Sequence, residues 1–254
     1  MKLGSKKARN FALIQEESGI HVGISATLPQ AGQHAGVLLQ QQYDQWLSKD
    51  RFQAWGAFKR EHFCIALGGG NTIKAQYRAW LEQHHNSIDW LRHVRFFFLE
   101  ETTGETGWES AEQSLLINFL MPLAHKLRRQ RGIRALANTL GLPVTADQDD
   151  IIDAMVSAMV HPINLAAARQ ALKNRQPRKA RQLANQECQR YQQSIQEKLG
   201  ATMAFHCIVS GIGKDGTIGA LAPYMPCLLY TSPSPRDCVS NLVCRLLLEN
   251  GGGG

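Results

Sequence analysis

Long apolar runs are missing from this 254-residue chain: none approaches the roughly 20 residues that a membrane-spanning helix needs. The lysine- and arginine-bearing stretch Met1–Gly19 also lacks an apolar segment, so no cleaved leader is expected there. Cysteine is sparse and unpatterned. The six cysteines form no CxxC pair and no Cys/His cluster at zinc-ligand spacing, which excludes a zinc-finger reading, and a disulfide framework is not expected in so large a chain. Charged residues make up only 19% against 44% hydrophobic, a globular rather than disordered composition. Aromatic residues are absent from the two basic stretches, Lys126–Arg134 and Lys173–Arg181, that hold much of the +7 net charge. With no rings to stack bases, these stretches read as solvated faces of an inserted helical segment and not as a nucleic-acid surface. A cytoplasmic, non-membrane protein in a reducing compartment is the expectation.

What is present is an alternation of strand and helix signals. Phe11–Gln15 and Ile20–Ala26 read as two short strands around a turn. Gln33–Phe58 has a helical period, with Val37, Gln41, Asp44 and Leu47 marking changing faces. His62–Leu67 is a short apolar run ending in three glycines and followed by the helical pattern Asn71–Gln83. Val94–Leu99 reads as a strand buried on both faces, and Glu109–Leu123 as a helix with an apolar stripe at Leu116, Phe119, Leu120 and Leu123. Within a largely helical segment at about 127–177, Asp147, Asp149 and Asp150 suit a helix N-terminus. Gln182–Leu199 is a helix ended by Gly200, and Met203–Ser210 a third buried strand feeding a second glycine-rich loop. Near-continuous apolar strands alternating with helices predict an α/β fold with a parallel sheet covered on both faces.

The character of the chain changes at Cys227. Cys227–Asp237 (CLLYTSPSPRD), Asn241–Asn250 and four closing glycines read like translated sequencing adapter. The expectation is therefore a native domain over 1–226, truncated at its C-terminus, with a non-native tail over 227–254.

Two loops carry chemical potential. Gly68, Gly69, Gly70, Asn71 and Thr72 lie between a strand and a helix, where glycine admits close approach of an anion and first-turn amides point outward. The same loop also reads as a tight turn in which glycine only permits the bend. Gly211–Gly216 spells GxGxxG, but Pro223 interrupts too soon for the βαβ unit of a nicotinamide site. His206 reads as a core histidine, and the pair His84-His85 as surface.

Leu67–Ala75 (LGGGNTIKA) resembles the LSGGSTPKA loop of 6-phosphogluconolactonases. Ile88-Asp89-Trp90 followed by Val94–Glu101 is similar to their "IDW…VxFFWxDER" segment. Ser110 with Asn118-Phe119-Leu120 is similar to the "SN…L" helix, Ala184–Leu199 to the helix with a lone tyrosine, and Gly211–Pro223 (GIGKDGTIGALAP) to "GxGxDGHxASLFP". The series is in order over Phe63–Pro223. Glucosamine-6-phosphate deaminases share the architecture, but the triple-glycine loop and the IDW segment lie closer to the lactonases.

This resemblance implies a Rossmann-like parallel-sheet sandwich of the sugar-phosphate isomerase/lactonase type with a helical insertion at about 127–177. It implies hydrolysis of 6-phosphoglucono-lactone without cofactor or metal, with a small sugar phosphate as partner. Gly68, Gly69, Gly70, Asn71 and Thr72 would hold the phosphate. Glu100 and Glu101 would orient sugar hydroxyls or water, and Gly213, Asp215, Gly216 and Thr217 would border the reacting carbon. The chain departs from the pattern in four places: Thr217 stands where the family has the DGH histidine, Glu100-Glu101-Thr102 replaces Asp-Glu-Arg, Ile73 replaces proline, and Ala111 follows Ser110 in place of asparagine. Loss of a general base is typically worth about 10²–10⁴ in rate. Two alternatives follow: a non-catalytic sugar-phosphate-binding paralogue, and a glucosamine-6-phosphate deaminase-like enzyme.

Overall fold

The computed structural model describes residues 12–15, 21–25, 27–48, 57–83, 88–101, 110–200 and 203–211. The expectations for His84-His85, for Gly213, Asp215, Gly216 and Thr217, and for the 227–254 tail lie outside these residues.

The chain opens with an antiparallel pair, β1 (Ala12–Gln15) and β2 (His21–Ile24), in register from Ala12 opposite Ile24 to Gln15 opposite His21. Helix α1 (Leu28–Ser48) follows. Its buried face is Gly32, Gly36, Leu39, Tyr43 and Trp46, whereas Val37 and Leu47 of the expected pattern are exposed. The 4-3-4-3 spacing of this face is helical, but glycine contributes little to an apolar count, so the apolar pattern alone does not mark it. Gly32 is needed for contact: a Cβ there would stand 2.8 Å from the Ala75 carbonyl oxygen of helix α3 (Asn71–Gln83). Between them comes the short helix α2 (Ala57–Glu61).

Strand β3 (Phe63–Leu67) is buried at every residue and forms the centre of a parallel three-stranded sheet. On one side lies β4 (Val94–Phe98), in register from Phe63 opposite Val94 to Leu67 opposite Phe98. The chain reaches it through helix α4 (Ile88–His93). On the other side lies β5 (Cys207–Val209), with Ile65 opposite Cys207. The fold is mixed α/β, with a small parallel sheet and mostly helices around it.

Beyond β4, helix α5 (Ala111–Leu115) runs into a π-helical stretch, Leu116–Leu120, and on into α6 (Met121–Leu140), which Gly132 interrupts at φ +78°. Asp147 caps α7 (Gln148–Met159), accepting from the Asp150 amide at 2.9 Å while Asp150 accepts from the Asp147 amide at 3.0 Å, as the clustered aspartates suggest. Helices α8 (Ala166–Lys173) and α9 (Pro177–Leu199) complete the described elements, and Gly200 at φ +82° ends α9. No described helix is long and apolar enough to cross a membrane.

Aromatic packing joins the sheet to its helices. Phe96 of β4 stacks on Trp80 of α3, and both meet Phe119 of the π-helical stretch edge-on. On the opposite pleat, Phe97 stacks on His161 at 4.4 Å between centroids and touches Phe205. Tyr191 of α9, buried, accepts from the Phe98 amide at 2.8 Å and donates to the Phe98 carbonyl at 3.3 Å. This hydroxyl satisfies both backbone groups of a residue at the end of the sheet ladder.

Two expectations need correction. The stretch 127–177 is not helical throughout: Val160 bridges Phe96 in parallel and the His161 amide donates to the Phe96 carbonyl at 2.9 Å, so the chain here meets the outer side of β4 at one bridge. Nor is Met203–Ser210 a buried strand. Only Cys207–Val209 is extended in the sheet, and Ile208 is 60% exposed. The ladder stops because the Cys64 amide donates to the imidazole Nδ1 of His206 at 2.9 Å, a side chain standing where a backbone acceptor would be. His206 also stacks on Phe63, in keeping with a core histidine. Cys64 and Cys207 are free thiols, and burial pushes Cys64 up to about 12, which makes it inert. Cys188 is disulfide-bonded.

Candidate functional site at the carboxyl ends of the strands

The three parallel strands release their chains at one end of the sheet. The Gly68 amide donates to the Val209 carbonyl at 2.9 Å and the Leu99 amide to the Leu67 carbonyl at 2.8 Å, so the loops after β3, β4 and β5 leave side by side. They interlock closely. A Cβ on Gly68 would lie 2.8 Å from the Ser210 hydroxyl, and one on Gly211 would lie 2.9 Å from both Cβ and Oγ1 of Thr72. The first glycine-rich loop therefore meets the described start of the second, Ser210 and Gly211, and at Gly211 the approach to the Thr72 Cβ leaves no room for a side chain.

Helix α3 starts directly from the first loop. Its first ladder bond runs from the Lys74 amide to the Gly70 carbonyl at 3.4 Å, so the amides of Asn71, Thr72 and Ile73 have no partner within the helix. Gly70 holds φ +90° with open space around its α-carbon, the left-handed backbone that turns the chain into the helix. Thr72 is exposed and Ile73 buried beneath it.

One cradle amide is already engaged. The Gly69 amide donates to Oε1 of Glu100 at 2.6 Å, a short charge-assisted bond. A Cβ on Gly69 would stand 2.9 Å from that same oxygen. Burial pushes the Glu100 carboxyl above its ordinary range; the Gly69 bond pulls it down, and the Glu101 charge adds to the rise. An incoming anion at Gly69 must displace Glu100.

Glu101 sits differently from a solvated loop carboxylate: its side chain is 2% exposed. Oε2 accepts from the Ser110 hydroxyl at 2.9 Å and the Glu112 amide at 3.4 Å, and Oε1 accepts from Nη2 of Arg169 at 3.1 Å. Ser110 also caps α5 by accepting from the Gln113 amide at 3.2 Å. Glu101 therefore ties the α5 N-terminus and α8 to the end of β4. Burial, and after it the Glu101 charge, raises the Glu112 carboxyl, while Arg169 lowers it.

The sequence reading missed Arg169 and Glu112. Pro162 and Asn164 in HPINL were the available signal, since they break the helical pattern after Met159 and precede α8 as a strand-to-helix turn would.

Away from the strand ends, a cavity of about 300 Å³ lies between α1 and α3, lined among others by Leu28, Gln33, Lys74, Arg78 and Glu82. Among the described residues no group of three or more His, Cys, Asp or Glu is arranged to hold a metal ion. No family model, curated protein or solved structure matches the chain.

Proposed function

We propose that this chain is a sugar-phosphate-processing domain of the 6-phosphogluconolactonase type, with a Rossmann-like sheet and its substrate seated at the carboxyl ends of β3, β4 and β5. The observation that carries the reading is the Gly69 amide, which grips an anionic oxygen at 2.6 Å where a strand passes into a helix. That loop, packed against Ser210 and Gly211 at the end of β5, suits a phosphoryl group.

The proposed reaction is hydrolysis of 6-phosphoglucono-lactone. Water adds to the ester carbonyl, the ring C–O bond breaks, the ring oxygen leaves as a hydroxyl, and 6-phosphogluconate and a proton are released. No cofactor is required. Glu101 is committed to Ser110, Glu112 and Arg169, which leaves Glu100 as the carboxylate for the attacking water. Its raised pKa makes it a better proton acceptor than an ordinary carboxylate.

A second reading, a non-catalytic sugar-phosphate binder, is favoured by one specific feature: Thr217 at the position of the family's histidine. Lactone hydrolysis above the uncatalysed rate supports the enzyme. Saturable 6-phosphogluconate binding without turnover supports the binder. A chain that does neither removes both.

A further inference from the structure

We infer that the cavity between α1 and α3 is a second ligand site, suited to a small organic monocarboxylate with an apolar body whose carboxylate pairs with Arg78. The cavity lies apart from the strand-end loops, and the inference does not depend on the function proposed above.

The two helices are pinned together beside the cavity. A Cβ on Gly32 would stand 2.8 Å from the Ala75 carbonyl oxygen, and Nε2 of Gln83 donates to the Gln33 carbonyl at 2.9 Å. Ala75 and Gln33 themselves line the cavity, so its walls are held before any ligand arrives. Its volume of about 300 Å³ falls at the lower end of small-molecule pockets. Leu28, Pro29, Ala75 and Ala79 give it an apolar lining. Leu28 is 47% exposed, so an occupant takes apolar surface out of water there.

The charged lining comes from one row on α3. Lys74, Arg78 and Glu82 recur every four residues, which sets them about 6 Å apart along one face of the helix. Glu82 accepts from Nε2 of Gln33 at 3.4 Å, and both Lys74 and Glu82 have other partners. Arg78 differs. It makes no hydrogen bond or ion pair among the described residues, although Glu82 stands four positions on, where such charges ordinarily pair. The Arg78 side chain is exposed at the cavity. A guanidinium offers a planar fork of N–H donors that a carboxylate meets with two parallel bonds. Two cations and one carboxylate line the cavity, a net single positive charge. One carboxylate neutralises it, whereas a phosphate dianion overshoots it and is repelled by Glu82. A neutral apolar molecule would fill the walls and leave the guanidinium unanswered.

The test uses the full chain as wild type, Arg78→Lys and Arg78→Gln. Binding of 4-iodobenzoate and of its neutral counterpart 4-iodobenzamide is measured by calorimetry, with circular dichroism checking the fold. A crystal soaked with 4-iodobenzoate locates the iodine by anomalous scattering. Wild type is expected to bind the acid saturably and about tenfold or more tighter than the amide. Arg78→Gln should weaken the acid by about tenfold and leave the amide within about twofold, with Arg78→Lys between. The iodine should lie between α1 and α3, and inorganic phosphate at equal concentration should not displace the acid. An arginine with a merely structural role would move acid and amide alike. Equal wild-type affinity for acid and amide, or unchanged acid affinity in both variants, overturns the pairing with Arg78. Absence of acid binding, iodine at the strand ends, or displacement by phosphate overturns the site, and none of these results touches lactone hydrolysis. Should Arg78→Gln not fold, the wild-type ratio of acid to amide and the position of the iodine decide.

Discussion

Under the proposed function, replacing Glu100 by glutamine should tighten anion binding even as it slows lactone hydrolysis. In the structure the Glu100 carboxylate fills the Gly69 amide at 2.6 Å, and under the proposed function it acts as an internal competitor for the phosphate of the substrate. A hydrogen bond to a charged acceptor contributes about 1.5–3 kcal/mol and a neutral one about 1 kcal/mol, so glutamine releases the amide more readily by about 1 kcal/mol. The displaced carboxylate would also repel the bound dianion. At about 8 Å and an effective dielectric of ~20 each unit of charge adds roughly 2 kcal/mol, an upper bound once solvent screens it. Together these predict sulfate or 6-phosphogluconate binding about 10- to 100-fold tighter in Glu100→Gln. Sulfate is the cleaner probe because it stays dianionic across the accessible pH range. The assay is ligand-induced thermal stabilisation at several concentrations, converted to affinity by linkage. Protonating Glu100 imitates the substitution, so sulfate affinity in wild type should rise as pH falls, while Glu100→Gln shows a flatter profile. The raised pKa of this carboxyl brings that change nearer to neutral pH than an ordinary carboxylate would allow. A folded Glu100→Gln protein that binds sulfate no more tightly than wild type would refute the competitor argument.

Two further predictions concern stability. Tyr191→Phe removes the hydroxyl that serves both backbone groups of buried Phe98 and should lower unfolding free energy by about 1–3 kcal/mol, read as a shift in urea midpoint at constant m-value; no shift would mean that the Phe98 amide finds another partner. Acid should also destabilise the fold between pH 6.5 and about 4. Burial, first among the causes, lowers His62, His161 and His206 to about 4, so between those values the unfolded chain binds protons that the folded chain refuses, and stability falls as pH drops. The limit is about 1.4 kcal/mol per pH unit for each histidine, reduced by the solvent access that all three retain. Urea titrations at pH 7, 5.5 and 4.5 test this, and His161→Phe should flatten the slope; a pH-independent midpoint would contradict it.

Several features were legible from residue order because near neighbours decide them. Phe63–Leu67 is apolar throughout, so β3 is a buried central strand, and the glycines after it turn the chain into α3. The α3 limits, Asn71–Gln83, are those that the periodicity gives. The end of α9 at Gly200 and the capping box of Asp147 and Asp150 are equally local, since each depends on contacts within one turn of the chain.

The long-range contacts followed no such pattern. Nothing around Glu100 shows that its carboxylate will turn onto the Gly69 amide 31 residues earlier. Glu101 reads as a loop acid until Ser110, Glu112 and Arg169 close around it, and that closure needs the Val160–Phe96 bridge to bring the chain before α8 beside β4. β5 is short because the His206 ring takes the Cys64 amide, a competition between side chain and backbone 142 residues apart. Helix and strand preferences are set by the residues within a turn or two. Which charges are buried, and against what, is settled only when the sheet brings distant segments to the same end, where the loss of water makes each unpaired charge too costly to leave alone.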